Sequence, residues 1–209
     1  MQKLKALFFL KMIRTISIVV LFFLSSTFSV FIDSDAEVKE TTINFSSDSY
    51  LKINGKTNVS TFGCAFNIDA FSDAIKVNFK EYDSSIKFSN ATLSLSNIEF
   101  DCGGKAINKD FNKLLNTEEH PKIVLNLKEI SKIEEGLDSI TATVEIIICK
   151  ISKTYKVPVS VDSENGLYVR GLLPININDF KLKAPTKMLG IVKVSPQIEI
   201  DFSLEILKS

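Results

Sequence analysis

Few side chains in this sequence could carry chemistry, and their spacing decides against most of it. His120 is the single histidine. No His-based metal cluster can form around one ring, and any serine-type relay would have to use it. It stands between Glu119 and Pro121 at the end of a helical stretch, where a cationic side chain favours the helix dipole, so it reads as a solvated terminus. The cysteines Cys64, Cys102 and Cys149 lack C-x-x-C spacing, which argues against thioredoxin-type exchange and structural zinc alike. Gly103-Gly104 has neither the following Lys-Ser/Thr nor the strand–loop–helix setting of a phosphate loop. Glu118-Glu119 and Glu134-Glu135 fall in loops or at helix ends and read as solvated charge, not as the facing carboxylates of glycoside hydrolysis. No catalytic residue, metal site or cofactor is therefore expected, and the chain reads as a non-enzyme. Asn44-Phe45-Ser46, Asn58-Val59-Ser60 and Asn90-Ala91-Thr92 match the glycosylation sequon, which matters only in a eukaryotic secretory pathway.

The cysteines have a more ordinary use. In an oxidising compartment two can pair and leave one over. Cys64 and Cys102 both lie beside glycine at strand ends (FGCAF and FDCGG), where backbones approach easily, and are the expected pair. Cys149 falls inside a strand pattern, IIICKIS, as a plain buried or half-buried thiol. The compartment is suggested by the start of the chain. Lys3, Lys5, Lys11 and Arg14 precede the apolar run ISIVVLFFL, which ends in SSTFS, the layout of a signal peptide spanning residues 1–29. The rival is a retained membrane anchor, because residues 15–32 carry no charge. Without residues 1–29 the 25 basic residues fall to 21 against 25 acidic, a net charge of about −4 that disfavours nucleic acid.

Beyond an acidic tether, residues 30–41, hydropathy takes a period of two. Ile75, Val77 and Phe79 share one face, as do Ile140, Ala142, Val144, Ile146 and Ile148. Tyr155, Val157, Val159 and Val161 follow, then Ile198, Ile200, Phe202, Leu204 and Ile206. One dry and one wet face per strand is the habit of antiparallel sheet. Asn54-Gly55, Glu135-Gly136 and Asn165-Gly166 are expected turns. Pro158 implies an edge or bulge, since it cannot donate to a ladder. Eight to ten strands with one apolar face should curl and close, leaving residues 42–207 as a single barrel. A helical period interrupts the pattern at 106–121. There Phe111, Leu114 and Leu115 lie at i, i+3 and i+4, with Asn108 as the expected N-cap and Pro121 as the stop. An interior of Ile, Val, Leu and Phe suits either an aliphatic ligand or a core filled by its own side chains.

These residues resemble the YceI-like family over about Thr42 to Leu207. Asp48, Ser49 and the strand to Gly55 are similar to that family's opening strand. Asp110 and Phe111 followed by His120-Pro121-Lys122-Ile123 resemble its helix and next strand, and Asp179-Phe180 then Gly190 resemble its late loop. Thr57-Asn58-Val59, Phe62-x-Cys64, Phe100-x-Cys102 and Ala184-Pro185-Thr186-x-Met188-Leu189-Gly190 look like a divergent, cysteine-containing branch that lacks a histidine before the opening serine. The resemblance implies an all-β, antiparallel, eight-stranded lipocalin-like barrel with one short α-helix near its mouth. It also implies a polyisoprenoid or other long apolar lipid as partner. Phe111 and Leu115 on the helix, and Phe180, Met188 and Leu189 in the late loop, are then the expected ligand-lining residues.

Overall fold

The computed structural model describes residues 36–208 apart from 72, 133–138, 164–165 and 188–190. The leader, Glu135-Gly136, Asn165, Met188 and Leu189 lie outside the described residues. The strands are β1 (Val38–Phe45), β2 (Tyr50–Lys56), β3 (Thr61–Phe66), β4 (Ile75–Glu81), β5 (Ser85–Asn90), β6 (Thr92–Ser96) and β7 (Phe100–Asp101). The helix α1 (Lys105–Leu114) precedes β8 (Lys122–Ser131), β9 (Ser139–Ile148), β10 (Ile151–Asp162) and β11 (Leu167–Asn176). A small hairpin, β12 (Thr186–Lys187) and β13 (Val192–Lys193), and the long β14 (Gln197–Lys208) complete the described residues.

Eight strands close a ring in the order β1, β4, β5, β8, β9, β10, β11, β14, and β14 returns to β1 through Phe45↔Ile206. Every described pairing in it is antiparallel. Closure follows from the alternation: the apolar sets on β9, β10, β11 and β14 all turn inward. Ile146, Val157 and Ile175 are each at most 2% exposed. β2, β3 and β7 form a flap that leaves the ring at β14. The flap is possible because β1 and β2 share the same edge of β14, β1 at residues 206–208 and β2 at 199–203. Ser49 fixes the break between them: its buried hydroxyl accepts from the Glu205 N–H at 2.9 Å.

The ring's ladder parts in two places. Between β10 and β11 the rungs run from Asp162↔Tyr168 to Val159↔Gly171 and stop, with Pro158 lying just past the last rung. Proline offers no N–H, so β10 cannot extend the ladder through it. Pro158 is thus on an open edge towards β11 while still opposite Thr141 of β9. Between β4 and β6 the cause is a bulge at Asn78/Phe79 and the step from β5 to β6 at Asn90–Thr92: β5 pairs with β4, whereas β6 pairs only with β8 among the described strands.

Local structure corrects several expectations. β1 begins at Val38, so the last residues of the supposed tether are strand. Asn54-Gly55 is no turn; it lies inside β2, where a Cβ on Gly55 would overlap the Phe62 ring across the pair Gly55↔Phe62. The turn comes later, closed by Thr57 Oγ1 accepting from the N–H groups of Val59 and Ser60 at 3.1 and 2.9 Å. Cys149 is not in a strand. With Lys150 it makes the two-residue β9–β10 turn, both residues at positive φ (49° and 63°), as a type I′ hairpin requires.

The helix also differs from its expectation. It spans Lys105–Leu114 instead of reaching 121, and its N-cap is Gly104, not Asn108. Asn116 at φ 47° ends it in the left-handed conformation that commonly stops helices. Asn108 instead clamps the approach to the helix: its Oδ1 accepts from the Cys102 N–H at 2.7 Å and its Nδ2 donates to Asp101 at 3.0 Å.

Candidate functional site

The sequence supplies 16 phenylalanines and no tryptophan, and the fold assembles five of them into a row. Phe45 closes β1, Phe66 closes β3, Phe71 follows it in the loop to β4, Phe100 opens β7, and Phe111 lies on α1. Ring centroids are 5.4 Å apart for Phe45–Phe71 and 5.1 Å for each of Phe71–Phe66, Phe66–Phe100 and Phe100–Phe111. All four pairs are tilted or edge-on, the geometry that the ring quadrupole prefers over a face-to-face sandwich. The row crosses from the β1 wall, under the flap, to the helix.

At Phe71, its second ring, this row meets a groove of about 360 Å³ at the β4/β6 parting. Its walls come from both faces of the sheet. Ile75 and Leu93 belong to the inward sets of their strands, whereas Lys76, Asn90, Thr92 and Ser94 belong to the outward sets. The groove thus reaches inward-facing side chains where the ladder is interrupted. The arrangement offers apolar contact inside and hydrogen-bonding groups at the rim.

The other parting is built differently. Behind Pro158 and Pro174 the chain turns through the short 3-10 segment Ile177–Phe180, which places Ile177 and Phe180 in the core. Phe180 is 1% exposed and its ring lies 6.4 Å from that of Tyr155. Outside, a groove of about 400 Å³ runs over the last closed rungs, with Gly171 and Phe202 beside the outward residues Tyr50, Pro158, Ser160, Arg170, Leu172 and Asp201. The Tyr155 hydroxyl is buried with no protein hydrogen-bond partner, and burial, with the nearby Asp179 charge, pushes its pKa up. It stays a neutral phenol.

Of the residues expected to line a ligand, the structure places Phe111 in the aromatic row and Leu115 in the core at 4% exposure. Phe180 sits on the far side of this division, as the plug of the β10/β11 parting. Phe45, Phe66, Phe71 and Phe100 were not singled out by sequence reasoning. Three of them sit at inward positions of strands, where Phe is also ordinary core, and Phe71 lies outside any periodic segment.

Helix α1 is held at both ends. Three residues before it, Cys102 is joined to Cys64 of β3 in a disulfide. After it, the Cys149 thiol donates to the Leu115 carbonyl at 3.1 Å, and burial pushes that thiol's pKa up, keeping it protonated. Asn97, 1% exposed, donates to the Thr117 hydroxyl at 3.1 Å and to the His120 carbonyl at 2.7 Å. The backbone of His120 therefore serves the fold.

On the outer face Glu145 gathers Lys128 and Asn126 (both 2.9 Å) and Ser152 (2.7 Å), which together hold its carboxyl down at about 2. This is a charge laid across β8, β9 and β10 on the solvent side, remote in character from the apolar row. Among the described residues no group of three or more His, Cys, Asp or Glu could hold a metal ion, and no helix is long and apolar enough to cross a membrane.

The model of the YceI-like domain matches residues 63–206. The chain belongs to the YceI-like family. Phe66, Phe71, Phe100 and Phe111 fall inside the matched YceI-like span, and Phe45 precedes it. Two solved structures are similar in fold. One is BcnA of Burkholderia cenocepacia, with 20% identity, 76% of this chain and 96% of that chain covered, and a TM-score of 0.57. The other is a polyisoprenoid binding domain from Saccharophagus degradans implicated in plant cell wall breakdown, with 12% identity, 81% and 99% coverage, and a TM-score of 0.56. No curated protein sequence matches. At these identities the likeness concerns the fold, and both neighbours are spanned almost end to end.

Proposed function

We propose that this protein binds a long apolar lipid of the polyisoprenoid type in its barrel and carries or sequesters it without chemical change. The observation that carries the reading is the row of five phenylalanine rings, of which Phe71 also lines the groove at the β4/β6 parting. A flexible chain with repeated methyl branches gains contact with every ring it passes, and apolar burial of about 25 cal/mol per Å² supplies the affinity. Family membership supports it, as does the fold shared with a polyisoprenoid binding domain. The basic, apolar and small-residue leader supports a periplasmic or secreted location, with residues 15–32 as a membrane anchor if the leader is retained.

Native mass spectrometry of the protein purified from its own host, with organic extraction of the same sample, tests the proposal. A bound mass that partitions into the organic phase as a prenyl lipid is the expected result. Protein that is consistently empty and takes up no added prenyl alcohol would remove it. A second reading, a filled barrel acting as an envelope structural or protein-interaction module, is favoured by the packing around Phe180, Ile146 and Ile175. The same measurement separates the two.

A further inference from the structure

We propose that the β4/β6 slot is a lateral port through which the lipid chain enters and leaves, its polar head remaining at the rim; this rests on the lipid-binding reading above. Three observations converge on the slot. First, it is the parting whose lining includes a member of the aromatic row: Phe71 contacts both Phe45 and Phe66 and also faces the 360 Å³ groove. A chain passing Ile75 and Leu93 would reach the rings without leaving apolar contact. Second, the rim supplies groups suited to a hydroxyl or phosphate head, with Lys76, Asn90, Thr92 and Ser94 exposed at the outer edge beside Asp73. A polar head kept there stays hydrated while its tail is buried, which avoids the cost of burying an unpaired polar group.

Third, the alternative entrance under α1 is tied shut. The Cys64–Cys102 disulfide and the Asn108 clamp hold the start of the helix. The contact between Cys149 and Leu115, and the Asn97 bonds to Thr117 and His120, hold the segment that follows it. Lifting the helix would break part-buried hydrogen bonds and expose Leu115. The β10/β11 parting is closed by Phe180. No ladder hydrogen bond joins the β4 and β6 edges; the bond that crosses there, from Asn90 Nδ2 to the Lys76 carbonyl at 3.2 Å, is an exposed side-chain contact.

The test uses exposed positions, so that the fold is spared. Ala70→Trp with Ala74→Trp places two indoles at the mouth of the groove, and Leu172→Trp, on the outer face near the other parting, is the control. Exchange of a fluorescent prenyl alcohol is followed by stopped flow. The double variant is expected to slow association and dissociation together by about tenfold, leaving affinity nearly constant, since a port changes both rates and not the bound state. Leu93→Ala, which widens the slot, should speed both, so the port is tested even if the double variant folds poorly. Wild-type rates in a folded double variant, or in Leu93→Ala, would overturn the port and leave lipid binding standing. A wild-type protein that never binds the probe would instead sink the lipid reading, and the port with it.

Discussion

The barrel wall parts twice, and the two partings are handled in opposite ways. At β10/β11 the ladder ends at Pro158, and the opening is packed from within by Ile177 and Phe180. At β4/β6 a bulge and a strand change end it, and the opening is left as a slot whose floor continues into a row of rings. The strands beside the first parting are long and regular: β10 has 12 residues and β11 has 10. Those beside the second are short, with 7 residues in β4 and 5 in β6. A lost rung in a sheet is therefore structurally neutral by itself. Its consequence depends on whether the following chain returns an apolar side chain to fill it.

The largest expected effect lies on the plugged side. Phe180→Ala should cost about 3–5 kcal/mol in urea unfolding, as for other fully buried Phe truncations. The half-buried Phe71→Ala should cost clearly less in stability and more in prenyl-probe affinity. The reverse ranking would mean that Phe180, not the row, lines the ligand. Next comes the tie on the helix side. Cys64→Ser with Cys102→Ser opens a link between residues 38 apart, and should lower stability by about 2–4 kcal/mol, read as a shifted chemical-denaturation midpoint.

On the regular wall Gly171 faces Phe202, and an added Cβ would lie 2.7 Å from that ring's Cζ and 3.1 Å from Val159 Cγ1. Gly171→Ala should therefore cost about 1–3 kcal/mol by overpacking the last closed rung. The smallest effect is electrostatic. Glu145 is held at about 2, below its ordinary 4.5, chiefly by Lys128 and then by Asn126 and Ser152. Its contribution is complete above pH 4.5 and is lost as pH falls towards 2. Glu145→Gln should flatten the acid limb of a stability profile slightly in that window and leave neutral-pH probe binding unchanged.

Much of this architecture was legible in the sequence. The alternation from Ile140 to Ile148 and from Ile198 to Ile206 names the inward faces that the ring buries, and Pro158 marks an edge. The failures have local causes. At Asn54-Gly55 the strand continues because Phe62 occupies the space that a side chain would need, a cross-strand reason invisible in a dipeptide. At Cys149-Lys150 a hairpin is made without glycine or asparagine, so its usual signal is missing. Asn108 has the right type for a cap but is drawn to Cys102 and Asp101 by tertiary contact. The candidate site was legible only through Phe111. The other rings of the row come from four separate segments that only closure of the flap brings together.

Photo-crosslinking tests the central claim most directly. A prenyl alcohol bearing a diazirine on its tail would be bound to the wild-type protein, activated, and mapped by peptide mass spectrometry. The account predicts labels at Phe45, Phe66, Phe71, Phe100 and Phe111 and at the slot residues Ile75 and Leu93. Labels confined to Tyr155, Phe180 and their neighbours, or to the outer groove at Tyr50 and Leu172, would contradict it.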